Sequence, residues 1–270
     1  MDYFDLKGRV AVVTGGGGIL GAGFCRVLAE HGAKVAVLDS DLKNASGVAT
    51  DLMDIDPNAE IIAVEVDVSD ESSVERSIES VMKRFGRIDI LHNNAATKTE
   101  SLSDFFAPLD AYKLETWKKV MSVNVDGMFL MARAVGREMI AHSIRGSIIQ
   151  TASIYGMVGP DQRIYEGSEY MGVPINTPAV YSASKGAVLS LTKYLATYWG
   201  GHGIRVNSLT PGGVSSGQNS LFNERYSARV PLGRMAEAYE LESALLFLAS
   251  DASSYVTGQN IAVDGGWTSW

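Results

Sequence analysis

Short runs of β-branched and other apolar residues alternate with longer runs of helical periodicity along most of the chain. The predicted strands cover residues 9–13, 34–38, 61–66, 88–92, 147–151, 204–209 and 260–263. A first helix ends at Glu30, and further helices are predicted over residues 41–54, 70–85, 114–141, 180–199 and 236–250. Strands separated by helices of this length are joined by parallel crossovers. We therefore predict one α/β domain over residues 1–270, with a doubly wound, mostly parallel seven-stranded sheet and helices on both faces.

Composition and charge narrow the classes of protein to which this chain can belong. A hydrophobic share of 46% and a charged share of 20% are typical of a globular protein in water. The net charge of -8 argues against nucleic acid or an anionic membrane as a partner. Cys25 is the single cysteine, which rules out an intrachain disulfide and favours a reducing, cytoplasmic location. We expect no signal peptide in residues 1–7 and no membrane span, because no apolar run reaches the necessary ~18 residues.

A run of glycines lies between the first predicted strand and the first predicted helix. Gly15, Gly18 and Gly21 follow Thr14 at intervals of three, so the order is strand, glycine turn, helix. Glycines allow the backbone to approach a pyrophosphate closely, and the free N–H groups at the start of the helix bind its charge. This pattern predicts a dinucleotide-binding Rossmann fold, with a merely flexible turn as the alternative.

Asp39 ends the second predicted strand, eighteen residues after Gly21. A carboxylate at this place accepts hydrogen bonds from the adenosine ribose hydroxyls and repels a ribose 2′-phosphate. No arginine or lysine is adjacent, since Ser40 and Asp41 follow. The predicted cofactor is therefore NAD rather than NADP. The alternative is that Asp39 only caps the helix that begins near Asp41.

Tyr181 and Lys185 are four residues apart near the start of the helix predicted over residues 180–199. This spacing places a phenol and an ammonium on one helical face, one turn apart. A phenol titrates near ~10, and a fixed cation nearby lowers its pKa, which makes a tyrosine usable as a general base. An ordinary surface tyrosine and lysine are the alternative interpretation of this pair.

Three long segments rich in polar and turn residues follow predicted strands, at residues 96–112, 160–178 and 212–234. All three leave the carboxyl ends of their strands, the edge where open α/β sheets bind ligands. Long loops at that edge are more often functional than not, so we expect these three to form the substrate site. The arginines of the third loop are interpreted as a solvated helical face, and they are Arg225, Arg229 and Arg234.

Together these motifs resemble those of the short-chain dehydrogenase/reductase family, in its single-domain type, over almost the whole chain. The matching pieces, in chain order, are Thr14–Gly21, Asp67-Val68, Asn93-Asn94-Ala95-Ala96, Asn124, Ser153, Tyr181 with Lys185, Pro211-Gly212 and Asp264-Gly265-Gly266. The resemblance implies an oxidoreductase that transfers a hydride between a nicotinamide cofactor and a hydroxyl or carbonyl group. It also implies a homotetramer in which the helices at residues 114–141 and 180–199 pack across a twofold axis.

The resemblance further implies a catalytic role for four side chains. Tyr181 would be the base that takes the substrate's hydroxyl proton, and Lys185 would hold the nicotinamide ribose and lower the pKa of that tyrosine. Ser153 would hydrogen-bond the reacting oxygen, and Asn124 would hold a water that links Lys185 to solvent. The implied cofactor contacts are Gly15, Gly18, Ile19, Leu20, Gly21, Asp39, Asp67, Val68, Asn93, Ala95, Tyr181, Lys185, Pro211, Gly212 and Val214.

The chain departs from the family pattern at three positions. The second glycine of the turn is Gly18, whereas the single-domain type usually has it where Ile19 stands. This spacing resembles that of a second branch of the family, whose longer chains include sugar-nucleotide epimerases. Ala96 replaces a usual glycine, and Ser216 stands where a threonine often occurs. We expect none of these changes to abolish activity, because the backbone amides and a hydroxyl are kept.

The substrate loop at residues 160–178 lies between two of the implied catalytic residues. Ser153 and Tyr181 are 28 residues apart, about twice the separation usual in the family, so the extra residues should line the substrate pocket. Their polar groups and two aromatic rings favour a sugar, sugar acid or polyol over an acyl chain, with solvated loop residues as the alternative. Arg163, the only cation in this loop, is the first candidate to bind an acidic group. The predicted substrate contacts are Ser153, Tyr155, Arg163, Tyr165 and Tyr181.

Three other functions are compatible with the pattern. A ketoacyl-type carbonyl reductase and a sugar-nucleotide epimerase or dehydratase are the enzymatic alternatives, and an NAD-sensing regulatory protein is the alternative without catalysis. A chain of 270 residues leaves little room for the extra substrate domain of an epimerase, and an intact set of four catalytic residues argues against a pure sensor. The four histidines lack metal-ligand spacing, so we predict no metal site.

Overall fold

The computed structural model describes residues 2–270 and contains one large parallel sheet. The strands, in chain order, are β1 (Val10–Thr14), β2 (Lys34–Asp39), β3 (Ile61–Glu65), β4 (Ile90–Asn93), β5 (Ser147–Thr151), β6 (Glu169–Tyr170), β7 (Val173–Pro174), β8 (Arg205–Pro211) and β9 (Asn260–Val263). Seven of them form the sheet in the order β3-β2-β1-β4-β5-β8-β9, with every neighbouring pair parallel. The predicted doubly wound sheet is confirmed. Its order reverses between β1 and β4, so the expected ligand crevice lies at their carboxyl ends.

Helices cover both faces of this sheet. They are α1 (Ile19–Glu30), α2 (Leu42–Ile55), α3 (Glu71–Phe85), α4 (Leu102–Phe105), α5 (Leu114–Met121), α6 (Met128–Ala141), α7 (Ala179–Trp199), α8 (Ser220–Ser227) and α9 (Glu242–Ala249). Val10 and Val12 of β1 pack with α3, α6 and α7, whereas Ala11 and Val13 pack with α1, α2 and α9. Alternate side chains of the strand are therefore buried on opposite faces, which explains the continuous apolar run in the sequence.

The helix predicted over residues 114–141 is not uniform. Its two α-helical parts, α5 and α6, are joined by a π-helical segment, Ser122–Gly127. Such segments are rare and occur often at functional sites, and this one is too short to change the periodicity visible in the sequence. The helix predicted over residues 236–250 likewise begins as a 3₁₀ turn, Ala238–Leu241, before α9. No helix among residues 2–270 combines the length and the apolar character that crossing a membrane requires.

The three predicted substrate loops each contain short ordered elements. The first includes α4 and the third includes α8, while the second has a 3₁₀ turn, Gln162–Tyr165, followed by the antiparallel β6–β7 hairpin. Met171 and Gly172 form the two-residue turn of this hairpin, and both have left-handed backbone angles, with φ of 52° and 77°. Elements of so few residues carry no periodicity that a sequence pattern can detect.

Candidate active site

A cleft of about 540 Å³ opens beyond the carboxyl ends of β1, β2, β3 and β4. Its volume is within the range of sites that hold a small molecule. Ten of the predicted cofactor residues line it, and they are Gly15, Gly18, Ile19, Leu20, Gly21, Asp39, Asp67, Val68, Ala95 and Val214. The other five predicted cofactor residues do not line the cleft: Asn93, Tyr181, Lys185, Pro211 and Gly212. Residues not predicted individually complete the wall: Ser40, Val66, Asn94, Ala96, Thr97, Lys98, Val123 and Ser216.

The glycine turn closes tightly on the start of α1. Gly15 has a φ of 62°, and a Cβ atom on Gly21 would lie only 2.0 Å from the Gly15 carbonyl oxygen. Glycine is therefore required at Gly21 while the turn keeps this shape. The first turn of α1 has no side-chain cap and no acidic residue, so the N–H groups of Ile19 and Leu20 have no internal partner. These groups and the positive end of the helix dipole fit the pyrophosphate of a dinucleotide.

The Asp39 carboxylate is held at the edge of the cleft by two backbone N–H groups. Gly17 donates to Oδ2 at 3.0 Å and Asp41 donates to Oδ1 at 3.1 Å. The cap of α2 is Asp41 itself, whose side chain accepts hydrogen bonds from Lys43 and Asn44. Asp39 is therefore not the helix cap that the alternative interpretation required, and its carboxylate is fixed in the wall of the cleft.

The two asparagines after β4 have different positions. Asn93 is fully buried, and its Nδ2 donates to the Met128 backbone oxygen and the Gln150 side chain, so it braces the core behind the cleft. Asn94 lines the cleft instead. The Thr14 hydroxyl oxygen accepts hydrogen bonds from the N–H groups of Asn94 and Ala95, which joins the ends of β1 and β4. Sequence reasoning used Thr14 only as the start of the glycine turn and missed this contact.

Tyr181 and Lys185 lie on the first two turns of α7, and Ser153 follows the end of β5. Lys185 is only 2% exposed, and its Nζ donates a hydrogen bond of 2.8 Å to the Thr151 backbone oxygen. The same Nζ is 5.9 Å from the centre of the Tyr181 ring. The buried Ser153 hydroxyl oxygen accepts from the Tyr155 N–H, which leaves its own proton for another acceptor. The burial of Lys185 excludes the alternative of an ordinary surface pair.

Burial dominates the acid–base properties of both α7 groups. Desolvation lowers the pKa of Lys185 from its ordinary value of 10.5 to about 8. Desolvation also raises the pKa of Tyr181, and the neighbouring Ser153 hydroxyl offsets this rise only in part. The pKa of Tyr181 therefore shifts in the direction opposite to the predicted lowering, because loss of solvation on burial is its largest cause. A positive charge brought close to the phenol would oppose this rise in pKa.

Asn124 lies in the π-helical segment and is fully buried. Its Oδ1 accepts a hydrogen bond from the Thr97 N–H at 3.0 Å, and its Nδ2 donates to the Ser184 hydroxyl at 3.2 Å. Ser184 directly precedes Lys185, so Asn124 connects the loop after β4 to α7. Each end of its side-chain amide has a further hydrogen-bonding position, so the role of Asn124 in holding a water that links Lys185 to solvent stays a prediction.

Tyr155 and Tyr165 belong to one aromatic cluster with Tyr181. The Thr177 hydroxyl donates to the Tyr165 hydroxyl at 2.7 Å, which in turn donates to the Tyr155 hydroxyl at 2.9 Å. The Tyr165 hydroxyl thus accepts one proton and donates its own, and the Tyr155 hydroxyl donates to no acceptor within residues 2–270. Desolvation raises the pKa of Tyr155 and of Tyr165, so both remain protonated donors.

Arg163, the predicted anion-binding residue, is engaged within its own loop. Its guanidinium forms two hydrogen bonds of 2.8 Å with the Asp161 carboxylate, and its side chain is 76% exposed. Together with Arg229, which pairs with the same carboxylate, it lowers the pKa of Asp161 to about 2. Arg225 donates to the Glu166 backbone oxygen. Arg225 and Arg229 therefore fasten the third substrate loop to the second, a role that the prediction of a solvated helical face missed.

Comparison with known proteins adds independent information. A family model described as enoyl-(acyl carrier protein) reductase matches residues 17–268. Galactitol 2-dehydrogenase (L-tagatose-forming) from Cereibacter sphaeroides is 37% identical over 282 aligned residues, which cover 100% of both chains. The crystal structure of a gluconate 5-dehydrogenase from Burkholderia cenocepacia J2315, in complex with NADP and tartrate, has a TM-score of 0.87 and 35% identity, covering 100% of this chain and 98% of that one. The crystal structure of NAD+-bound xylitol dehydrogenase has a TM-score of 0.84 and 30% identity, covering 97% of this chain and 99% of that one.

Proposed function

The chain belongs to the short-chain dehydrogenase/reductase family of oxidoreductases, and on this premise we propose that it oxidises a secondary or anomeric hydroxyl of a polyol, sugar or sugar acid with NAD. The observation that carries the proposal is the meeting of three side chains at the carboxyl end of β5: Lys185 binds the Thr151 backbone oxygen, and Tyr181 lies beside both Lys185 and Ser153. Asn124 connects this group to a cleft that fits a dinucleotide.

The four side chains have distinct parts in the proposed reaction. A bound oxidised nicotinamide would accept the hydride and bring a positive charge to the site. With that charge nearby, the raised pKa of Tyr181 would fall, so that its phenolate can take the hydroxyl proton of the substrate. Ser153 would donate its free proton to the reacting oxygen and hold it in place. Lys185 would hold the nicotinamide ribose, and Asn124 would keep α7 and the loop after β4 in register.

The hydroxyl chain beside Tyr181 supports a polar substrate. Its last member, Tyr155, has a proton available for an acceptor outside the protein, and the chain through Tyr165 and Thr177 orients that donor. A substrate with several hydroxyls can supply the acceptor, whereas an acyl chain would leave the donor unpaired at a cost of ~1–3 kcal/mol. The similar proteins named after galactitol, gluconate and xylitol support the same class of substrate.

NAD is the proposed cofactor because of the carboxylates near the adenosine end of the cleft. Asp39 is fixed there by Gly17 and Asp41, and Asp67 lines the same wall. The only basic residue that lines the cleft, within residues 2–270, is Lys98, which follows β4 rather than β2. A 2′-phosphate would therefore meet negative charge without a cation to offset it. The similar crystal structures contain both cofactors, NADP in one and NAD+ in the other, so the choice rests on Asp39.

The test measures hydride transfer to NAD+ through the absorbance of the NADH that forms. The purified protein is incubated with NAD+ and galactitol, xylitol or gluconate, and separately with NADH and a ketoacyl thioester. We expect NADH to form with at least one of the hydroxylated compounds and the thioester to be a poor substrate. Reduction of the thioester alone would instead identify a carbonyl reductase. NADH binding without any turnover would favour the NAD-sensing protein.

We also propose that the protein works in the cytoplasm as a homotetramer. Phe129 on α6 and the stacked pair Tyr194 and Tyr198 on α7 are large, exposed apolar side chains. They lie on the two helices that the family resemblance places at a twofold axis, and burying them between subunits would stabilise the assembly. Light scattering coupled to size-exclusion chromatography should give about four times the chain mass of 28.9 kDa, and a monomer would refute the proposal.

A further inference from the structure

Five basic residues lie in the three substrate loops, and four of them are already engaged by the protein. Arg163 and Arg229 both pair with the Asp161 carboxylate. Arg225 donates to backbone oxygens, and Arg234 pairs with Glu240. The fifth, Lys98, has no hydrogen-bond or ion-pair partner within residues 2–270. Its Nζ lies 4.7 Å from the centre of the Tyr170 ring. Lys98 is thus the one cation of these loops that is available to an anion.

Lys98 is held in a defined place by the residues on either side of it. Thr97 donates its N–H to Asn124, and Thr99 donates its N–H to the Thr97 hydroxyl at 2.9 Å. Thr99 has a φ of 63°, which is sparsely populated for a β-branched residue. Strain of this kind persists only where the surroundings hold it, and ligand clamps are one such place. Tyr170 belongs to β6, so Lys98 lies where the cofactor cleft meets the second substrate loop.

The electrostatics of this place favour an incoming anion. Lys98 is the only basic residue in the wall of the cleft, among the residues that the structure describes. Lys98 is exposed, its pKa is lowered by desolvation where it meets the cleft, and no carboxylate of residues 2–270 pairs with its ammonium. The Tyr170 ring attracts the ammonium through a cation–π contact but supplies no net negative charge. A carboxylate would supply that charge and form a charge-assisted hydrogen bond with the ammonium.

We propose that Lys98, held over the Tyr170 ring, binds a carboxylate of the substrate, so that acyclic sugar acids are better substrates than the polyols that lack the acid group. This inference rests on the proposed function, because it names the substrate class of the same site. It assigns the anion-binding role to Lys98 in place of Arg163, whose charge Asp161 neutralises.

Matched pairs of acid and polyol test the proposal. The value of kcat/KM is measured for gluconate against glucitol, galactonate against galactitol and xylonate against xylitol. In any pair of which the wild type oxidises a member, kcat/KM should be higher for the sugar acid than for the matching polyol. Lys98→Met should lower this preference roughly 10- to 100-fold, the usual effect of losing a charge-assisted hydrogen bond. Lys98→Arg should keep most of the preference, and Lys118→Met, an exposed lysine of α5, should leave it unchanged.

Three results would overturn the proposal. If Lys98→Met weakens NADH binding and leaves the ratio of acid to polyol unchanged, Lys98 holds a cofactor phosphate instead. If the wild type oxidises polyols but no sugar acid, the assignment of a carboxylate is wrong, while the proposed oxidation of hydroxyls stands. If the wild type oxidises neither class, the proposed function fails together with this inference. Thermal unfolding of each variant, with Lys98→Arg as the charge-retaining comparison, separates these results from a loss of folding.

Discussion

Replacing Lys185 with methionine should abolish turnover and at the same time stabilise the folded protein. The pKa of Lys185 is lowered from 10.5 to about 8 by burial. Each pKa unit corresponds to ~1.4 kcal/mol, so the ammonium destabilises the folded state by about 3 kcal/mol near neutral pH. Methionine is similar in length and uncharged, but it leaves the Thr151 backbone oxygen without its Nζ donor, at a cost of ~1–3 kcal/mol. We expect the free energy of unfolding to rise by about 1 kcal/mol near pH 7.

The gain in stability from Lys185→Met should turn into a loss of stability as the pH rises. The pKa of Lys185 in the folded protein is below its unfolded value, so the destabilisation is complete below about pH 8 and disappears as the pH approaches 10.5. By about pH 9.5 roughly 2 kcal/mol of the destabilisation by the Lys185 ammonium should have disappeared. The lost hydrogen bond to Thr151 then dominates, and the variant should be less stable than the wild type by about 1 kcal/mol.

Urea unfolding without cofactor measures both differences, at one protein concentration, near pH 7 and at about pH 9.5. Lys83→Met changes an exposed lysine of α3, outside the helices proposed to form the subunit interface, and is the matched control. It should alter the free energy of unfolding by less than ~0.5 kcal/mol at either pH. The reasoning is refuted if Lys185→Met is clearly less stable than the wild type near pH 7, or if the difference between the two proteins does not depend on pH.

Three further predictions follow from the site. Tyr181→Phe should lower kcat at least ~10²-fold and leave the Kd for NADH within about twofold, measured by fluorescence, because only the proton acceptor is lost. The wild type should prefer NAD to NADP at least tenfold in kcat/KM. Asp39→Asn keeps an acceptor for the Gly17 N–H and should lower this preference roughly tenfold. Equal use of both cofactors by the wild type would contradict this prediction. Tyr155→Phe should raise the KM for the best hydroxylated substrate about tenfold, whereas Tyr255→Phe, at a fully exposed position, should change nothing.

The features that the sequence predicted well are those that depend on local pattern. All five residues of β1 are buried, so its apolar run could be recognised without knowing the partner strands. The spacing from Tyr181 to Lys185 places both on α7 for the same reason, because a helix repeats locally. The prediction that Asp39 lies at the cleft also followed from position alone, since it ends a strand of a parallel sheet.

The features that the sequence could not predict depend on contacts between distant segments. Arg229 meets Asp161 across two loops, and Lys98 meets Tyr170 in the same way, so neither pairing leaves a local signal. The pKa of Tyr181 is raised by its burial against residues of the second and third substrate loops, whereas the sequence showed only the lysine one turn away. Arg163 is the instructive exception: its partner, Asp161, is two residues away, and a local ion pair could have been considered from the sequence.

The three substrate loops are connected to one another by the folded protein itself. Asn124 binds Thr97 of the first loop, and Asn176 of the second loop donates to the Phe106 backbone oxygen of the first. Arg225 and Arg229 join the third loop to the second. Because these contacts form during folding, much of the conformational entropy of the loops is lost before a substrate arrives. Each hydrogen bond to the substrate can then contribute more to binding and orientation, since it does not also have to order the loop that supplies it.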